Sequence, residues 1–300
     1  MLERAEREVV GLRREAEVLA VALATGRHVV LEGPPGTGKS TLLRCLADGA
    51  GLGLEFVEGN AELTPARLVG AHDPALVLAG GYRPEAFSEG PLVAAMRAGG
   101  LLYVEELNRV PEETLNVVIT ALAEGEIHVP RVGRVRAHQR FRLIAAMNPF
   151  DVVGTARVSQ AVADRVCRIA LGYQSEAAER RITERATGAT GELTRLAVAL
   201  VRATRSAPEL RTGSSVRGAI DLVHLARGLA ALRAGAAGDG QPRDGLPGRD
   251  TLLDAALAAL SGRVRLEEDA GRPVEAVIAE LLERLLLDPQ GQERAPPQRA

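Results

Sequence analysis

The sequence predicts an α/β chain: a doubly wound parallel sheet over residues 1–172, a helical domain over 173–288 and a disordered tail at 289–300. Three observations carry that prediction. A glycine-rich stretch, Gly33-Pro34-Pro35-Gly36-Thr37-Gly38-Lys39-Ser40, stands between a short apolar run and a helix-like segment, the strand, turn and helix of a phosphate-binding loop. Five short apolar runs recur through the first part of the chain, as buried parallel strands do. From about residue 175 such runs stop, and Ala- and Leu-rich segments with helical spacing take over.

In chain order, residues 2–25 place Val9, Val10, Leu12, Leu19 and Leu23 among charges at near-helical spacing, which predicts an amphipathic helix, or two broken at Gly11. Arg27 to Glu32 reads as the first strand and Lys39 to Leu46 as the first turns of the helix after the loop. Further strands are expected at Leu54 to Val57, Leu101 to Val104, Arg142 to Ala146 and Cys167 to Leu171. In the second domain, helices are expected near 193–205, 214–234, 251–261 and 273–287, with an exposed loop from Gly235 to Arg249.

The chain has a single lysine, Lys39, and arginine supplies all its other basic charge. Arginine replaces lysine readily on a solvated face. A compact, rotatable ammonium between phosphates is harder to replace with a planar fork. Lys39 thus stands where a G-x-x-x-x-G-K-[ST] loop requires it, and Gly33, Gly36 and Gly38 allow a nest of backbone N–H groups at a helix N-terminus. Residues Gly33 to Thr41 are therefore candidate nucleotide ligands, with Ser40 a ligand for Mg²⁺.

Leu101-Leu102-Tyr103-Val104-Glu105-Glu106 is an apolar strand ending in two carboxylates. Following such a loop, this pair points to ATP hydrolysis: Glu105 would hold metal-bound water, and Glu106 would orient and deprotonate the attacking water. Net charge −2 and pI ≈ 6.3 argue against general affinity for nucleic acid or an anionic membrane. Aromatic residues at 2% with no Trp supply a poor base-stacking platform. Cys45 and Cys167 lie far apart with no C-x-x-C spacing, so both are expected in the core of a protein from a reducing compartment. No run of about 18 apolar residues is present, and the expected location is the cytoplasm.

With these residues in view, a resemblance becomes specific. Gly33 to Ser40, Phe87-Ser88-Glu89-Gly90-Pro91-Leu92, Glu105-Glu106-Leu107-Asn108-Arg109-Val110-Pro111, Ala145-Ala146-Met147-Asn148-Pro149, Ala163-Asp164-Arg165-Val166 and Thr212-Gly213-Ser214-Ser215-Val216-Arg217 occur in order. Their order and spacing resemble the MoxR family of AAA+ ATPases over nearly the whole chain. The resemblance implies a polar sensor at Asn148, an arginine finger at Arg165 that reaches the next subunit's nucleotide, and a lid sensor at Arg217. It also implies an adenine-side segment at Val10 and Gly11, a self-assembled ring, by family a hexamer, and Mg²⁺-dependent ATP hydrolysis. A von Willebrand factor A domain protein is the implied partner, and a protein complex or metalloenzyme the client. The family usually carries Asp where this chain has Glu105, a departure compatible with slow turnover.

Two insertions are expected to carry specificity. Residues 70–92 fall where the family's helix-2 insert lies, and Gly125 to Phe141 where its hairpin before the sensor strand lies. Arg134, Arg136, His138, Arg140 and Arg142 alternate with other residues, so one strand face is expected to be basic: either a solvated edge blunted by charge or a cationic grip. That face keeps a nucleic-acid-stimulated motor or loader as the alternative function, although overall charge speaks for a protein partner. Glu105 keeps a third reading open, a scaffold that binds ATP and scarcely hydrolyses it.

Overall fold

Alternation along the central strands decides how the sheet is covered. The computed structural model describes residues 9–149, 160–237 and 245–287, so the tail at 289–300 lies outside the described residues. The chain divides into two compact units, Met1–Gly172 and Tyr173–Ala300.

In the first unit, α1 (Arg13–Ala24) leads into β1 (His28–Glu32), followed by α2 (Lys39–Ala50) and β2 (Leu54–Glu58). Next come α3 (Pro65–Val69), β3 (Gly70–His72), α4 (Pro74–Gly80), β4 (Phe87–Glu89), α5 (Pro91–Ala98) and β5 (Leu101–Glu105). Helix α6 (Glu112–Glu124) precedes a hairpin of β6 (Glu126–Val129) and β7 (Gly133–Arg136), and β8 (Arg142–Met147), α7 (Gln160–Ala163) and β9 (Val166–Ala170) complete the unit. Strands β2, β5, β8, β1 and β9 form one sheet in that order, with every neighbouring pair parallel.

Successive side chains leave opposite faces of a strand. Leu102 and Val104 of β5 with Leu143 and Ala145 of β8 join the core under α5 and α6. Leu101, Tyr103, Ile144 and Ala146 join the core under α1 and α2. Because both faces are apolar, the strands read as continuous runs, and the sheet is doubly wound. The strand order reverses beside β1, which places the loop after β1 at the crevice where such sheets take ligands.

Among the described residues, the amphipathic helix expected within 2–25 runs over Arg13–Ala24, and Gly11, with a φ of 82°, stands outside helical space at the expected break; residues 2–8 lie outside the described residues. Cys45 is buried as expected, whereas Cys167 is exposed: it sits on β9, the sheet's edge strand, where little packs over it.

The second unit holds α8 (Glu176–Thr187), α9 (Glu192–Ser206), β10 (Leu210–Thr212), α10 (Val216–Ala237), α11 (Arg249–Leu260), β11 (Arg265–Leu266) and α12 (Val274–Leu287). Leu196, Leu200, Leu222, Val223, Leu252, Leu260, Ile278 and Leu282 form its core. The sequence reading had strands ending by this point, yet β10 and β11 pair antiparallel; they are too short to show an apolar run. Helix α10 continues to Ala237, past the expected loop start at Gly235, and Arg249 belongs to α11. Helix α8 was not anticipated, because it is held by charge: Glu179 is buried and lies 2.7 Å from Arg205 and 3.2 Å from Arg202 of α9. Among the described residues, no helix is long and apolar enough to cross a membrane.

Candidate nucleotide site

The loop between β1 and α2 is shaped by close approach. A Cβ on Gly33 would lie 2.1 Å from the Leu171 carbonyl oxygen, so no side chain fits there. Gly36 and Gly38 hold φ angles of 75° and 90°, the left-handed region that turns the chain into α2. The buried Thr37 hydroxyl donates to the Pro34 carbonyl at 3.0 Å. Lys39 Nζ donates to the carbonyls of Gly33 at 2.7 Å and Pro34 at 2.9 Å, so the ammonium curls back over the loop. Pro35 and Thr41 are exposed.

The acidic end of β5 meets the start of α2. Ser40 Oγ donates to Glu105 Oε1 at 2.9 Å, and the Tyr103 hydroxyl lies 3.1 Å from the same Oγ. Tyr103 was not singled out by the sequence reading, although two residues before Glu105 on a strand is the same face. Burial pushes its phenol up to about 12, so the group stays protonated. Glu106 follows the strand with φ 53° and ψ 47°, a left-handed conformation uncommon for a residue with a side chain. Its carboxylate lies 3.1 Å from the Arg109 guanidinium, and both groups are partly exposed. Gly59, also missed, donates its N–H to the Glu105 carbonyl at 2.7 Å. A Cβ there would stand 2.5 Å from the Glu106 carbonyl oxygen, and nothing in the local sequence signals that approach.

Asn148 directly follows β8, between β1 and β5 in the sheet, and its carbonyl lies 3.4 Å from the Asn108 side-chain amide. Loop, carboxylates and Asn148 therefore share one edge of the sheet. Arg165 does not join them. The pairing of Val166 with His28 puts it at the other end of β1, about 16 Å of strand away, where it is exposed and donates to the Ala161 carbonyl at 2.7 Å. Arg168, on β9, pairs with Glu32 just before the loop, one contact being 2.9 Å. Val10 is half-buried and Gly11 exposed, between Val9 and Leu12, which pack into the core with β1 and α2.

Arg217 belongs to the second unit, exposed on the first turn of α10. The segment before it is pinned by α9: Arg205 donates to the Ser214 carbonyl at 2.6 Å, and the Ser214 N–H donates to Thr204 Oγ1 at 2.9 Å.

The basic face expected across 134–142 is shorter than its sequence pattern. Arg134 and Arg136 share a face of β7, and each lies 3.3 Å from Glu126. Period two ends there, because the chain turns: the His138 N–H donates to the Met96 carbonyl at 2.8 Å. Arg142 is part of β8 in the central sheet, its guanidinium donating to the Gln139 and Phe141 carbonyls at 2.7 and 2.6 Å. The insert at 70–92 is a β3–β4 antiparallel pair around α4. It meets the β6–β7 hairpin where the Arg131 guanidinium sits 4.0 Å above the Tyr82 ring.

Residues 28–166 match the model of an AAA domain of the dynein-related subfamily, and residues 6–49 match that of magnesium chelatase subunit ChlI. An uncharacterised Bacillus subtilis protein, YeaC, is 26% identical over 77% of this chain and 78% of its own length. The gas vesicle ATPase GvpN of Ancylobacter aquaticus is 27% identical over 68% of this chain and 62% of its own, and B. subtilis YojN is 32% identical over 51% and 50%. The chain thus spans from half to about four-fifths of these relatives. Among solved structures, an ATPase from Cytophaga hutchinsonii aligns with TM-score 0.51 at 21% identity, over 94% of this chain and 92% of that one. The Thermotoga maritima RuvB branch migration motor aligns with TM-score 0.56 at 16% identity, over 98% and 81%. NtrX from Brucella abortus, solved with ADP, aligns with TM-score 0.56 at 18% identity, over 93% and 62%. With a phosphate-binding loop on β1 and paired carboxylates on β5, residues 28–166 form an AAA domain that hydrolyses ATP, in a chain similar to the MoxR-type AAA+ ATPases.

Proposed function

We propose that this ATPase is a chaperone-like remodelling machine that assembles as a ring, by family a hexamer, and acts with a von Willebrand factor A domain protein on a protein client. The observation that supports a protein client most is α4. Its 7 residues, Pro74–Gly80, are all apolar or glycine and none is buried, with Leu78 89% exposed. Contiguous apolar surface of this kind marks sites of protein contact. Arg134 and Arg136 share Glu126, which lowers the net positive charge that the hairpin offers a phosphate backbone.

In the proposed reaction, Lys39 exchanges the Gly33 and Pro34 carbonyls for β- and γ-phosphate oxygens. Ser40 and Glu105 present hard oxygens 2.9 Å apart, a donor set suited to Mg²⁺. Bound Mg²⁺ would neutralise charge on the phosphates. Glu106 orients and deprotonates the attacking water, Asn148 helps to place it, Arg165 serves a neighbouring subunit's site, and Arg217 carries the nucleotide state to the helical unit. Val10 and Gly11 border the adenine.

Steady-state ATPase and nucleotide binding test this reading. Lys39→Ala should abolish binding. Glu106→Gln should keep it and stall turnover, because an amide cannot take a proton from water. Wild-type turnover should rise with a von Willebrand A domain partner and stay flat with DNA or RNA. Stimulation by nucleic acid that disappears in Arg134→Ala/Arg136→Ala would establish the motor or loader instead.

A further inference from the structure

Tyr103 stands two residues before Glu105, on the same face of β5. Its ring is buried, packs against Phe56 at 5.7 Å between centroids, and delivers its hydroxyl to within 3.1 Å of Ser40 Oγ. Ser40 has one proton, and that proton goes to Glu105 Oε1 at 2.9 Å. In the Ser40 to Tyr103 contact either oxygen can be the donor, and the phenol also hydrogen-bonds Glu105. With the serine proton on Glu105, the phenol can give its own proton to the serine oxygen, since a hydroxyl offers one proton and two lone pairs. In that arrangement the serine oxygen keeps a single lone pair for a ligand. Neither neighbour alone would restrict the hydroxyl rotor this far.

We propose that Tyr103 is a positioning residue for the divalent cation: it holds the Ser40 hydroxyl against Glu105 and leaves one serine lone pair to the metal. Glu105 reaches the serine directly, at 2.9 Å, and the phenol completes the arrangement. This inference rests on the reading that Ser40 and Glu105 hold Mg²⁺.

The test is Mg²⁺ titration of the full chain with fluorescently labelled ADP, compared with ADP binding in EDTA, for wild type, Tyr103→Phe and Ser40→Ala. Phenylalanine removes the hydroxyl and keeps the ring, and thermal melts verify that the variants are folded. Tyr103→Phe should raise the half-saturating Mg²⁺ concentration about 3- to 10-fold, the worth of one hydrogen bond, with ADP affinity in EDTA unchanged. Ser40→Ala should raise it further. A Tyr103→Phe protein with wild-type Mg²⁺ dependence, beside a Ser40→Ala protein that has lost it, overturns the role of Tyr103 alone. Equal weakening of ADP with Mg²⁺ and in EDTA overturns it too, showing a structural role. If Ser40→Ala leaves Mg²⁺ dependence unchanged, the metal-site reading itself fails and the inference falls with it.

Discussion

Glu106, the proposed base, sits in a left-handed backbone conformation that costs about 1 kcal/mol or more. The Gly59 backbone lies against its carbonyl on one side, and Arg109 holds its carboxylate on the other. Strain of this kind gathers where a side chain must point in one direction for chemistry. His28, at the far end of β1, poses a different question at the same scale. Its Nδ1 accepts the Leu143 N–H at 2.9 Å, while burial, helped by the Arg142 charge, lowers the imidazole from 6.5 to about 4. The unfolded chain therefore takes up a proton near 6.5 that the folded chain refuses. Stability is full above that pH and is lost as pH falls from about 6.5 towards 4. Urea melts at pH 7 and pH 5 should show wild type losing about 1–2 kcal/mol more than His28→Gln, the partial exposure of the ring keeping the loss below full linkage. Equal losses in the two proteins would contradict the assignment.

Between elements, the ends of strands make the site, and the junction of β2 with β5 shows how little room they leave. A methyl on Gly59 cannot fit without moving the Glu105 or Glu106 carbonyl. Gly59→Ala should therefore lower kcat by about 10- to 100-fold, as expected of a misplacement near 1 Å, while the loop after β1 still binds nucleotide. Unchanged kcat would show that the acidic end tolerates the shift. The same junction explains what a linear reading can see. Loop, carboxylates and strands were legible because each is a local pattern: a motif, a run, a period. Tyr103 was half-legible, its period-two relation to Glu105 being present but its partner Ser40 lying across the fold. Gly59, the buried Glu179 of α8 and the end of the basic face before Arg142 depend on contacts between distant segments. The alternation from Arg134 to Arg142 is continuous in sequence and broken in space by the turn at His138.

At the scale of the molecule, the proposal that neighbouring subunits complete each site rests on where Arg165 lies. The register of β9 on β1 holds Arg165 at the opposite end of the sheet from the loop, and Arg168, the nearer arginine, is engaged with Glu32. An arginine supplied by another subunit is the arrangement this geometry favours, and such fingers are worth about 10³–10⁵ in rate. The direct measurement is ATPase activity of Arg165→Ala mixed with Lys39→Ala, with co-assembly verified by native mass spectrometry. Each protein alone should be nearly inactive, Arg165→Ala binding ATP almost normally. Together they should recover activity, because Lys39→Ala subunits still present Arg165 to their neighbours' intact loops. Full activity of Arg165→Ala by itself, or no recovery in verified mixed assemblies, would contradict hydrolysis shared between subunits.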